Sequence, residues 1–211
     1  MEKSKRCLRH YEGQEFRAVS NDTGDKVLVG HPVVYERKAD IGGWFAEVIE
    51  RGALDGCDMT DVLFFVNHQQ SKIPLARSRR NNGSSTMTLR VDDAGLAMEA
   101  RLDTENNPDA RAVYSAVSRG DMDGMSFAFS VEDEEWEGLD TDYPTRHIRK
   151  IARIYEVSAV NEPAYEATDI SARDKEALEN AKSALENVRS TELEDSDEIE
   201  VYKLKNEILS K

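Results

Sequence analysis

Three polar residues stand where apolar chain is expected, and together they have the chemistry for acyl transfer. His68 closes "DVLFFVNH" (61–68), Ser126 interrupts "DGMSFAFSV" (123–131), and Glu156 lies inside "RIYEVSAV" (153–160). A serine hydroxyl attacks a carbonyl only when a neighbouring base takes its proton. Imidazole has the pKa for that task near neutral pH, and a carboxylate can orient the ring and stabilise the imidazolium. Taken singly, each residue also fits a structural role: a strand-end histidine, a hydrogen-bonded strand serine, a solvent-facing glutamate. The chain order His…Ser…acid matches neither the chymotrypsin, the subtilisin nor the α/β-hydrolase order. "GMSFA" also lacks the second glycine of the G-x-S-x-G elbow, because Ala128 stands there.

The elements that must position these residues are mostly short strands. "KVLVGHPVVYE" (26–36) and "GWFAEVIE" (43–50) are rich in β-branched and aromatic residues. "DVLFFVNH" is a continuous apolar run of the kind buried on both faces. "STMTLRVDDAGLAMEARL" (85–102) predicts a hairpin with Leu96, Met98, Ala100 and Leu102 on one face. One helix interrupts the strands: Asn107 caps it, Pro108 and Asp109 open it, and Gly120 ends it. Its predicted buried stripe is Ala112, Val113, Ala116 and Val117. After it come the serine strand, a polar loop containing Trp136 and Tyr143, and the glutamate strand. The expected class is mainly β with flanking helices, closed or nearly closed as a small β-barrel.

Beyond residue 173 the texture changes. "DKEALENAKSALENVRS" reads as an amphipathic helix with Ala177, Ala181, Ala184 and Val188 on one face, flanked by Leu178 and Leu185. The acidic "TELEDSDEIE" and a second short helical piece follow. We therefore divide the chain into a domain over 1–173 and an acidic helical or partly disordered tail over 174–211.

Composition narrows the function classes. A net charge of −14 disfavours direct binding to nucleic acid. No apolar stretch approaches the roughly 20 residues of a membrane span, and the charged opening "MEKSKRCLRH" does not read as a secretory signal. Cys7 and Cys57 lack a C-x-x-C partner and read as free thiols. The histidines at 10, 31, 68 and 147 show no metal-ligand spacing, so neither metal nor other cofactor is expected. "KIPLARSRR" (72–80) is a basic island, read as a solvated loop or a contact for an acidic partner.

Read together, "FFVNHQQSKIPLARS", "RGDMDGMSFAFSV" and "IYEVSAVNEPAYEATDISAR" resemble the signature blocks of the HK97-type prohead maturation proteases of tailed bacteriophages. "GGWFAEVIERGAL" and "LRVDDAGLAMEARL" fit the same family, and the likeness covers roughly residues 14–175. The resemblance implies the fold of the herpesvirus assembly proteases, which use a Ser-His-His triad. It makes Ser126 the nucleophile and His68 the general base, with Glu156 where the viral relatives have a second histidine. Two features depart from the pattern. Ala128 stands where many members have glycine, and no arginine follows "EVSAVNEPAY" to assist an oxyanion hole.

The implied activity is that of a serine endopeptidase inside an assembling procapsid in the host cytoplasm. Its implied partners and substrates are the scaffolding protein or the scaffold segment of the major capsid protein, with its own chain a further candidate. Dimerisation is expected only by analogy with the herpesvirus enzymes. Two rival readings compete. One is a non-catalytic assembly factor acting through the acidic tail; the other is a hydrolase of small esters or amides, which the missing elbow motif disfavours.

Overall fold

Local sequence chemistry accounts for most of the elements seen in the computed structural model, which describes residues 6–10, 15–20, 24–161 and 174–187. Strands β1 (Arg6–His10), β2 (Phe16–Ser20), β3 (Lys26–Val34), β4 (Ala39–Ile41), β5 (Phe45–Ile49), β6 (Leu63–Val66) and β7 (Ala76–Arg77) come first. A 3-10 turn (Arg79–Asn81) leads into β8 (Met87–Val91) and β9 (Gly95–Leu102). Helix α1 (Pro108–Arg119) separates these from the long strands β10 (Gly124–Glu137) and β11 (Thr145–Val160). A second helix, α2, spans 174–187.

The strands form two sheets. One runs β1-β10-β11-β5-β4, with β6 pairing β11 and β7 pairing β6; the other runs β2-β3-β9-β8. The mainly-β character with two helices is as expected. The strand pairings, however, stop short of closing either sheet into a barrel: among the described residues both paths end on open edges. Leu28, Leu96 and Met98 of the smaller sheet share one core with Phe127, Phe129, Ile148, Ile151 and Ile154 of the larger.

The predicted hairpin is β8–β9. Leu96, Met98, Ala100 and Leu102 are all buried, alternating with less buried neighbours as a one-sided strand requires. Asp92 builds its turn by accepting from the backbone N–H groups of Ala94 and Gly95 through Oδ1. In α1, Asn107 Oδ1 accepts from the backbone of Asp109 and Ala110, and Gly120 ends the helix at φ 77°. Val113 and Val117 of the predicted stripe are buried, and Ala110 joins them. Ala112 faces out and Ala116 is half-buried, because the helix rests on its neighbours along a narrower seam.

The polar loop expected around Trp136 is largely strand. β10 and β11 continue as an antiparallel ribbon out to Glu137 and Thr145. Acids on one strand face bases on the other, as in Glu132–Lys150 at 2.7 Å and the Arg146 Nε–Glu134 bond at 3.0 Å. Cross-strand pairs of opposite charge support a sheet where apolar burial is scarce. The five residues of β5 are all buried, Glu47 included.

In α2, Asp174 and Leu178 are buried, and Ala177, Ala181 and Leu185 are half-buried. The inward stripe is thus close to the predicted one, although Ala184 is exposed. Val188 and the rest of the tail, 188–211, lie outside the described residues.

Candidate active site

Ser126, His68 and Glu156, 30 to 88 residues apart in sequence, come into direct contact. Ser126 is the third residue of β10 and is fully buried. Its register partner on β11 is Ser158, and Glu156 lies two residues before Ser158. A two-residue offset keeps both side chains on one face of the sheet. β6 runs parallel to β11 on its far side, with Phe65 opposite Ser158. The chain then turns back, carrying the imidazole over this face.

That turn is built from backbone that ordinary residues avoid. Asn67 and His68 both have left-handed φ, 48° and 55°. The Gln69 N–H donates to the Val66 carbonyl at 3.1 Å, closing a tight turn of the I′ kind. A left-handed residue other than glycine costs about 1–2 kcal/mol, and the surroundings hold this pair in place. The Asn67 N–H donates to the Ala159 carbonyl at 2.9 Å, and Asn67 Oδ1 accepts from the Asn161 N–H at 3.3 Å. Asn67 thus ties the His68 turn to the end of β11. The sequence reading passed over it, although an asparagine just before the histidine, the residue most tolerant of this conformation after glycine, was the available signal.

His68 Nε2 lies 2.7 Å from Ser126 Oγ, and Nδ1 contacts Glu156 Oε1. The contact fits a ring that donates from Nδ1 to a carboxylate, which only accepts, and turns the Nε2 lone pair to the serine hydroxyl. The His68 side chain is 16% exposed and that of Glu156 1%, so the three-residue contact is largely buried while the ring remains partly open to solvent. Two buried polar atoms beside it have no protein partner: Glu156 Oε2 and Ser158 Oγ. Ala128, where the family pattern has glycine, pairs in register with Glu156, and the sheet register shifts directly after it.

Other candidate groups lie elsewhere. His31 pairs with Asp92 at 3.2 Å, and His147 bridges Glu50 and Glu137. Cys7 and Cys57 are free, and burial pushes the Cys57 thiol up to about 12, so it is a poor rival nucleophile. The basic island is engaged locally: Lys72 with Asp109, Arg77 with Asp61, and Arg79 with the Ser84 carbonyl. Among the described residues no helix is long and apolar enough to cross a membrane. Most of the block following Asn161, where the missing arginine was noted, lies outside the described residues.

A sequence profile described as "Caudovirus prohead serine protease" matches residues 14–183, most of the chain. Among solved structures, that of the bacteriophage T4 capsid assembly protease, gp21, is similar at a TM-score of 0.45 and 10% sequence identity. The similarity covers 74% of this chain and 97% of that one. No curated protein matches.

Proposed function

This chain belongs to the caudovirus prohead serine protease family and is a serine peptidase of phage capsid maturation; on that premise we propose that Ser126, His68 and Glu156 carry its catalysis. The observation supporting the assignment is the continuous contact from Ser126 Oγ through the imidazole to Glu156. Ser126 Oγ attacks the scissile carbonyl carbon while His68 Nε2 takes the hydroxyl proton. The tetrahedral intermediate collapses as the imidazolium returns that proton to the leaving amine, leaving an acyl-enzyme on Ser126. Water, deprotonated by the same nitrogen, then releases the acid and restores the serine. Glu156 fixes the ring's tautomer and stabilises the imidazolium formed in both halves. A buried carboxylate does this better than a neutral imidazole in the same place, because its full charge acts at short range in a poorly solvated site.

The substrates we assign are the scaffolding protein or the scaffold segment of the major capsid protein, with the enzyme's own chain a further candidate, cut within the assembling procapsid in the host cytoplasm. The catalytic assignment is tested by treating the full chain with a fluorophosphonate and mapping the adduct by peptide mass spectrometry. One adduct on Ser126 is expected, absent in Ser126→Ala and strongly slowed in His68→Ala. An adduct on a different serine, with Ser126 unmodified, rules the assignment out.

A further inference from the structure

Beside His68 the surface opens into an apolar cleft of about 240 Å³ that the relay itself does not use. Its walls are Phe65 and Val66 of β6, Ile73 and Leu75 of the segment after the histidine turn, and Val113 and Ala116 of α1. Ile73 stands at the rim 82% exposed, a branched aliphatic side chain left in water next to an apolar hollow. Exposed apolar surface gathered around a concavity marks a binding site more often than chance. The volume is below the roughly 300–1,000 Å³ typical of small-molecule pockets, and it suits a side chain.

The sheet register gives the distance from the nucleophile. Ser126, Ser158 and Phe65 lie side by side on β10, β11 and β6. At about 4.8 Å between neighbouring strands, the Phe65 backbone lies roughly 10 Å from that of Ser126. An extended peptide advances about 3.3 Å per residue, so a chain lying across Ser126 delivers a side chain to the cleft about two to four residues from the cut bond. An endopeptidase must hold an extended polypeptide across its nucleophile, and this hollow is lined by the residues flanking its candidate base.

We propose that the cleft is a specificity subsite for one large aliphatic side chain (leucine, isoleucine, methionine or valine) of the polypeptide substrate. The proposal rests on the reading of Ser126 as the nucleophile of a peptidase. Binding is by burial of apolar surface against β6 and α1, with Ile73 folding over the guest. The Lys72–Asp109 ion pair, 3.2 Å across with both side chains more than half exposed, forms a polar part of the rim.

The test profiles cleavage of a proteome-derived peptide library by the full chain and by two variants, Ala116→Leu, which fills the cleft, and Ile73→Ala, which strips its rim. Ala116 is half-buried and Ile73 exposed, so both variants are expected to unfold at the wild-type temperature. The wild type should show one position, two to four residues from the cut, enriched in large aliphatic residues. For matched peptides with leucine there, Ala116→Leu should lower kcat/KM roughly 10–100-fold while leaving the alanine counterpart within about twofold. Ile73→Ala should weaken the same preference. Absence of aliphatic enrichment, or enrichment unchanged in Ala116→Leu, overturns the subsite. So does a change of oligomeric state in Ala116→Leu with an unaltered cleavage pattern, which would give the hollow to a second copy. Fluorophosphonate labelling of the same samples separates the two readings. Labelled Ser126 without aliphatic preference defeats the subsite alone, whereas failure of the wild type to label at Ser126 defeats the catalytic assignment and the subsite with it.

Discussion

A serine hydroxyl is a weak nucleophile until a base takes its proton, so the rate turns on how Glu156 holds the His68 ring. Glu156 is 1% exposed, and one of its oxygens has no partner. A buried carboxylate left half-satisfied works against the fold. Replacing it by the neutral amide should therefore separate activity from stability. In Glu156→Gln we expect the rate of Ser126 acylation to fall by about 10²–10⁴-fold, because the imidazolium loses its counter-charge. Its thermal midpoint should stay equal to or rise above that of the wild type; a lower midpoint with unchanged acylation would contradict the assigned role. The three residues stand out in sequence as polar groups in or at the end of apolar runs, but each alone also fits a structural role, and only the family resemblance joins them. Asn67 was less legible, since its importance lies in a left-handed turn and a bond to Asn161, ninety-four residues away. Ser158 was equally hidden, because strand pairing alone sets it opposite Ser126.

At the scale of elements, local chemistry was readable where one short stretch holds the whole signal. The β8–β9 hairpin and the capped helix α1 are such stretches. Gly95 shows how sharply the hairpin is specified: its φ is +147°, and a Cβ there would lie 2.1 Å from the Val33 carbonyl oxygen. Gly95→Ala must move β3 or β9, and we expect a loss of roughly 1–3 kcal/mol, read by chemical denaturation. Gly56→Ala provides the comparison. It also has positive φ, but no atom lies within 4 Å of the added carbon, so its loss should be the smaller. The outer β10–β11 ribbon was less readable, because its stabilising pairs are charged residues on two separate strands. The same holds for how the two sheets end among the described residues: strand periodicity predicts strands, but not whether the last one returns to the first.

Across the whole molecule, a buried charge cluster joins parts of the chain that sequence cannot connect. Arg9 of β1 donates to Glu47 of β5 at 2.8 Å and to Asp174 of α2 at 2.9 Å, and Arg146 of β11 reaches Glu47 at 3.1 Å. Removing one partner strands the others in a poorly solvated interior, so Glu47→Gln should cost about 3–5 kcal/mol. In a domain of this size that is a fall of about 10 °C in thermal midpoint. Burial opposes ionisation of Glu47, but Arg9 and Arg146 outweigh it and hold its carboxyl below the ordinary 4.5. The contribution of Glu47 is therefore full above pH 4.5 and is lost as pH falls through the lower folded value. Part of the acid fall in thermal midpoint should vanish in Glu47→Gln. Asp174 shifts the other way, because burial outweighs Arg9 and raises its carboxyl; Asp174→Asn should accordingly destabilise less than Glu47→Gln. These residues anchor α2 to the sheet that carries Ser126, so the fold and the site stand together. The most direct measurement of the central claim is the mass of the capsid and scaffolding proteins in particles assembled with the wild-type chain or with Ser126→Ala. The account predicts shortened proteins with the wild type and full-length ones with the variant at equal incorporation. Processing that persists with Ser126→Ala would contradict it.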